Sequence, residues 1–465
     1  MANHYDYFRN SSWRDILRPI RDGLDNIRER IPDLRPYDPT EDNLRKRKRQ
    51  DDALQGFAYI ESFDDLLSWR PEHADPIQKS STPLLQRTAS LNPTKDQPPG
   101  AKVLVCHDCS GGYHPYEAVV LNQIEHEDFS LEYLQFVETF VYFSHRLVTI
   151  PPPSWTNTLH LNGVLSLGTF IVEPGTKRAE EIFHYTTNSD STKYFPVAEQ
   201  LAAIAEAYGF DGWLINIEKT FTQNSWDLDA MIGFLKALRG KMGPTRKLVW
   251  YDSLTVGGRV RYQNALTYSN LPFFETCGNI LTNYAWEPSM IEMSKAVAKN
   301  SGVSVANIYF GVDVWAQNKP VDKYHPRVSF PQNRGGGGTN TGVAVSECRN
   351  QGVSSGIFAP AWAYEHFKLP EDGPTVSRCM WEGEPLPKEV ECECYGGRPN
   401  AAMCHFTHRT DASITRSALE YPAGSEDFFW TDFCKAFSQR TIRPDSSSAR
   451  TEINAHLGSQ SVLPR

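Results

Sequence analysis

One feature constrains this chain above all others: short, β-rich apolar runs alternate with longer mixed segments, eight times over. The runs are KVLVCHD (102–108), TFVYFSH (139–145), GVLSLGTFIVE (163–173), GWLINIE (212–218), KLVWYDS (247–253), NILTNYAW (279–286), NIYFGVDVW (307–315) and GIFAPAW (356–362). Most are apolar almost throughout, the pattern of strands buried on both faces in a parallel sheet. Between several lie helical patterns, VAEQLAAIAEAYG (197–209), DLDAMIGFLKALRGKMG (227–243) and EPSMIEMSKAVAKNSG (287–302). Eight strand–helix repeats over roughly 260 residues have the size and rhythm of an α/β fold, the (β/α)8 or TIM barrel.

The rest of the 465 residues frame that unit. Residues 1–50 read as a mobile basic leader ending in five successive cations, Arg45 to Arg49, a solvated charge run in preference to a nuclear-targeting patch. The barrel is assigned to 51–368, an irregular insertion to 369–425, a short segment to 426–440 and a disordered tail to 441–465. The glycine run Gly335–Gly338 has no Lys-Ser/Thr after it and is not a phosphate-binding loop. No run of 18 apolar residues exists, so no membrane span is expected. The net charge of −9 argues against a nucleic-acid partner. No apolar h-region opens the chain, so no secretory signal is visible and a cytosolic location is expected.

Nine cysteines follow no small-domain disulfide framework, and reduced thiols are the simplest reading. Cys106 and Cys109, with His107 between them, would need a second metal-ligand pair. Cys392 and Cys394 are spaced too tightly to supply it, so no metal and no cofactor is expected.

Barrel sites lie at the C-terminal strand ends. Those ends carry His107-Asp108, Ser144-His145, Glu173, Asn216 and Glu218, Tyr251-Asp252, Asn283-Tyr284 and Trp286, Asp313 and Trp315, and Trp362. Aromatics with a few carboxylates and amides suit a sugar, whose C–H faces pack on rings while its hydroxyls take polar partners. Taken singly, each aromatic is as readily a core residue. The sharpest element is FDGWLINIE (210–218). Asn216 and Glu218 are two apart, about 6.5 Å along a strand, and face the same side. Among aromatics, desolvation raises a carboxyl and suits it to general-acid work. Glu218 could equally be a strand-end salt-bridge partner. An amide beside the acid, in place of a second carboxylate, points to a substrate whose own 2-acetamido oxygen attacks C1, an exception to the two-carboxylate scheme.

These segments together resemble glycoside hydrolase family 85, the cytosolic endo-β-N-acetylglucosaminidases. The resemblance is carried by VCHD (105–108) with Gly111-Gly112-Tyr113, the run 140–173, FDGWLINIE, LVWYDS (248–253), LTNYAW (281–286), YFGVDVW (309–315) and FAPAWAYE (358–365). It covers about 57–368, with a weaker echo at 426–437. It implies a barrel that cleaves between the two core N-acetylglucosamines of N-linked glycans or glycoproteins, with retention through an oxazoline. The family's Asn-x-Glu pair falls on Asn216 and Glu218, its strand-end Tyr on Tyr251 and a sugar-stacking Trp on Trp286. Glu173, Asn283, Asp313, Trp315 and Trp362 are expected to complete the substrate site. The β-sandwich modules that usually follow are expected to be absent or truncated. Two alternatives stand beside this: a chitinase-like family 18 hydrolase, whose D-G-x-D-x-D-x-E strand meets Leu214 and Asn216 where it needs acids, and a catalytically silent sugar-binding barrel.

Overall fold

A computed structural model describes residues 57–87, 100–109, 117, 129–316, 329–331, 336–367, 369–391, 408–421, 440–442 and 451–453. The basic leader and the segment 426–437 lie outside them. Each of the eight apolar runs contains a strand: β1 Val103–His107, β2 Thr139–Tyr142, β3 Leu165–Val172, β4 Gly212–Ile217, β5 Lys247–Tyr251, β6 Ile280–Leu281, β7 Ile308–Asp313 and β8 Ser354–Phe358. Neighbours pair in parallel in chain order, and β8 pairs back onto β1, so the sheet closes into a barrel. Helices follow the strands: α1 Pro153–Leu161, α2 Pro196–Tyr208, α3 Leu228–Met242, α4 Leu271–Cys277, α5 Pro288–Ser301 and α6 Thr341–Gln351. Their ends obey local chemistry. Asp227 caps α3 by accepting from the Ala230 N–H at 2.9 Å.

Strand alternation divides the apolar side chains into two layers. Leu104, Cys106, Val141, Leu167, Leu214 and Val249 fill the barrel interior. Val105, Phe140, Phe170, Ile215, Trp250 and Phe310 pack outward against the helices. The N-terminal end of the barrel is closed by a half-buried polar knot. Lys247 Nζ donates to Glu138 Oε2 at 2.8 Å and to Thr139 Oγ1 at 2.9 Å, and the Tyr309 hydroxyl donates to the same Glu138 oxygen. Burial alone would raise the Glu138 carboxyl, but the Lys247 and Lys102 ammonium groups overcome it and hold it at about 2.

Two segments expected to be irregular or disordered carry regular structure. Within 369–425, residues Gly373–Glu382 form a helix, α7, whose Val376, Met380 and Trp381 are buried. Residues 408–421 pack back on the barrel, with the Leu419 N–H donating to the Ala101 carbonyl at 2.7 Å. The segment is irregular in composition, but its apolar residues dock it. In the tail, Arg440–Ile442 and Thr451–Ile453 pair antiparallel, in keeping with their β-branched residues.

Candidate active site

The site is built on β4. Gly212 opens that strand at φ +150°, and a Cβ there would lie 1.8 Å from the Lys247 carbonyl oxygen, so only glycine lets β4 lie against β5. Asp211, just before it, accepts from His160 Nε2 and from the Ser166 N–H, both at 2.8 Å, and ties β4 to α1 and β3. The Asp-Gly pair is therefore structural. From Leu214, which fills the interior, two steps lead to Asn216 and two more to Glu218. Both expected residues thus belong to the axis-facing set at the C-terminal mouth.

Their surroundings differ. Asn216 is buried, and its side-chain Oδ1 has no hydrogen-bond partner. A buried unpaired amide oxygen is costly, and at the axis-facing mouth of the barrel it is an acceptor open to a ligand's N–H or O–H. Glu218 is half-buried, and the Tyr262 hydroxyl donates to its Oε1 at 3.3 Å. The Glu218 N–H donates to the Val172 carbonyl at 2.8 Å, so Glu173, one residue on, stands at the neighbouring strand end. Glu173 meets His145 Nδ1 at 3.0 Å.

Rings continue around the mouth. Tyr251 lies 6.4 Å from Tyr262 and 6.3 Å from Tyr284, Tyr284 lies 5.4 Å from Phe358, and Phe358 lies 5.7 Å from Phe143, centroid to centroid. The Tyr251 hydroxyl donates to Asn283 Oδ1 at 2.9 Å. Burial first, and then the neighbouring Tyr284, Tyr262 and Glu218, push the Tyr251 phenol well above its ordinary value, so it remains a donor. Asp252 points elsewhere. Its carboxyl accepts from the Gln263 and Asn264 N–H groups and from Asn270 Nδ2, and burial pushes it up to about 6.

The structure thus brings Asn216, Glu218, Tyr251, Asn283 and Glu173 to the mouth. Trp286 and Trp362 stand differently. Both are fully buried and belong to the cluster facing the helices. The Trp286 indole N–H donates to the Gly311 carbonyl at 2.7 Å and its ring stacks on Phe330; Trp362 stacks on His366. Neither presents a face to a sugar, because both follow the last extended residue of their strands, where alternation stops. Asp313 is buried and accepts from the Trp315 N–H at 3.0 Å, and half-buried Trp315 lies edge-on to His366. Sequence reasoning missed Tyr262, Phe143 and Phe358 as ring-bearing positions. Phe143 and Phe358 were recoverable from strand alternation; Tyr262 lies on a loop that has no periodicity.

His107, Cys109 and Glu117 form a buried cluster. His107 Nε2 and Glu117 Oε1 stand 2.5 Å apart, whereas two ligands on one tetrahedral zinc stand about 3.3 Å apart. The Tyr142 hydroxyl and the Trp155 indole N–H also donate to the Glu117 carboxylate, at 2.6 and 2.9 Å. This is the geometry of a hydrogen-bonded anchor between loop and barrel.

Comparison with known proteins bears on this site. The family model Glycosyl hydrolase family 85 matches residues 113–441. The chain belongs to glycosyl hydrolase family 85. Relatives of this family 85 chain include the cytosolic endo-beta-N-acetylglucosaminidase of Gallus gallus, 35% identical over 324 residues, which cover 68% of this chain and 40% of that protein. Cytosolic endo-beta-N-acetylglucosaminidase 2 of Arabidopsis thaliana is 39% identical over 271 residues, 58% of this chain and 36% of that protein. The chain thus spans about two fifths of the length of the curated relatives it matches. Among solved structures, the glycoside hydrolase domain of Endo-D from Streptococcus pneumoniae R6 superposes with a TM-score of 0.54 at 20% identity, covering 70% of this chain and 50% of that one. That likeness supports the barrel fold.

Proposed function

We propose that this chain is an endo-acting glycosidase that cleaves the β-1,4 bond between the two core N-acetylglucosamines of N-linked glycans, free or on glycoproteins. The observation that carries the reading is the β4 pair: a buried amide with an unpartnered oxygen, two residues from a half-exposed carboxyl, inside an arc of rings. Family membership supports it, as do relatives named endo-beta-N-acetylglucosaminidases.

In this reading Asn216 holds the substrate's 2-acetamido group against C1. The acetamido oxygen attacks C1 as the glycosidic C–O bond breaks, and Glu218 gives its proton to the departing oxygen. The intermediate at C1 is the protonated oxazoline, which keeps the acetamido N–H proton and donates it in a hydrogen bond to Asn216 Oδ1. Glu218, now a carboxylate, takes a proton from water as that water's oxygen attacks C1, the C1–acetamido bond opens, and the β configuration is retained. Tyr251, kept protonated and oriented by its hydrogen bond to Asn283, lines the reacting sugar with its ring and offers its hydroxyl oxygen as an acceptor. No cofactor enters this scheme. Relatives named cytosolic support a cytosolic location, and Cys106, Cys277, Cys348 and Cys379 are buried thiols, in keeping with a reducing compartment. Among the described residues no helix is long and apolar enough to cross a membrane.

Glu173 favours a second reading. It follows the residue whose carbonyl holds Glu218, so two carboxyls stand on adjacent strand ends, as a conventional retaining pair would require. Its pairing with His145 argues for substrate binding instead. Incubation with a peptide bearing a high-mannose glycan tests the proposal. Peptide retaining one N-acetylglucosamine is the expected product; release at any other bond, or none, would overturn it.

A further inference from the structure

Asp252 does not face the barrel axis, yet it holds backbone that carries residues of the mouth. Asp252 Oδ2 accepts from the Asn264 N–H at 2.6 Å and the Asn283 N–H at 3.4 Å, and Oδ1 accepts from the Gln263 N–H at 3.2 Å and Asn270 Nδ2 at 2.9 Å. Asn264 is held at φ +55°. Its Oδ1 in turn accepts from Asn283 Nδ2 and from the Ala285 N–H, both at 3.0 Å. Asn283 then takes the Tyr251 hydroxyl. Immediately before Gln263 stands Tyr262, whose hydroxyl reaches Glu218. The carboxyl is 1% exposed, and none of these four donors carries a charge. A buried carboxylate satisfied only by neutral dipoles is tolerable when all of them are in place.

We infer that Asp252 is a positioning residue, a carboxylate clamp that fixes the 262–264 turn and Asn283 and so aims Tyr262 at Glu218 and Tyr251 into the mouth. The clamp deepens the proposed function and rests on Glu218 as the acid. Its burial-raised carboxyl, about 6, still ionises at neutral pH, where four donors have two acceptor oxygens to share. Asparagine has the same shape but one acceptor oxygen, and its NH2 would meet an N–H. A merely space-filling Asp252 would tolerate that exchange; a clamp would not.

The test pairs hydrogen exchange with kinetics on a high-mannose glycopeptide for Asp252→Asn, Tyr262→Phe and the double variant. Asp252→Asn is expected to unfold cooperatively, to exchange the amides of 258–268 about tenfold faster or more, and to lose about tenfold or more in kcat with KM changed less than about threefold. Adding Tyr262→Phe should then cost little further. Wild-type protection of that segment in Asp252→Asn overturns the inference, as does full additivity of the two kinetic losses. Should Asp252→Asn fail to fold, Asn264→Gly is decisive. Glycine accepts the positive φ and deletes the acceptor for Asn283 and Ala285; unchanged exchange and unchanged kcat there overturn the clamp. If the wild type fails to cleave the glycopeptide, the proposed function falls while the exchange comparison still judges the clamp.

Discussion

Glu218 and Glu173 stand on adjacent strands, and their partners assign them different work. Glu218 accepts from the hydroxyl of Tyr262 at 3.3 Å, a long contact with a neutral donor, while Glu173 is paired with His145 at 3.0 Å. A proton donor has to be able to give its proton to substrate; a paired carboxylate suits binding. Glu218→Gln is therefore expected to fold normally and lose about 10³-fold or more in kcat, roughly 4 kcal/mol of barrier. Glu173→Gln is expected to raise KM with kcat nearly kept, since it removes binding shared by ground and transition states. Steady-state kinetics of both variants on one glycopeptide checks the pair. Equal collapse of kcat in both would favour the two-carboxylate reading.

Elements place these residues with little freedom. The strand β4 was legible in the sequence because GWLINIE is a continuous apolar run ending in polar residues, and alternation put Asn216 and Glu218 on one face. Trp286 was expected at the mouth from its strand-end place and the family resemblance, but the run 279–286 is extended only over Ile280–Leu281. Beyond it the chain turns, and the indole drops into the helix layer. Tyr262 was illegible for a different reason. It reaches Glu218 through a loop held by Asp252 and Asn264, and no spacing in a loop encodes that path. Gly212 looked like part of a catalytic signature, but its requirement is the approach to the Lys247 carbonyl. Gly212→Ala is expected to cost at least about 3 kcal/mol by parting β4 from β5, measured as a lowered midpoint in denaturant. A midpoint near wild type would contradict the close packing assigned here.

At the scale of the molecule, the eightfold repeat was enough to read the barrel, whereas the docking of 373–382 and 408–421 depended on contacts distant in sequence. The barrel's N-terminal end is held by Lys247 and Glu138, drawn from β5 and the approach to β2. Lys247→Met would leave Glu138 with its strongest partner gone. It is expected to cost about 3–5 kcal/mol, read by thermal unfolding at pH 7; an unchanged melting temperature would contradict it. Glu138 sits below its usual 4.5, at about 2. Its share of stability is therefore present above about pH 4.5 and lost as the pH falls toward 2. The central claim is that the substrate's own acetamido group is the nucleophile and Asn216 its holder. Paired rates of Asn216→Ala and wild type, on an intact high-mannose glycopeptide and on a preformed sugar oxazoline with an N-acetylglucosamine acceptor, test it most directly. The account predicts a loss of about 10²-fold or more on the glycan with transfer from the oxazoline largely kept, because the amide contact strengthens only as the acetamido oxygen attacks C1; equal losses on both substrates would contradict it.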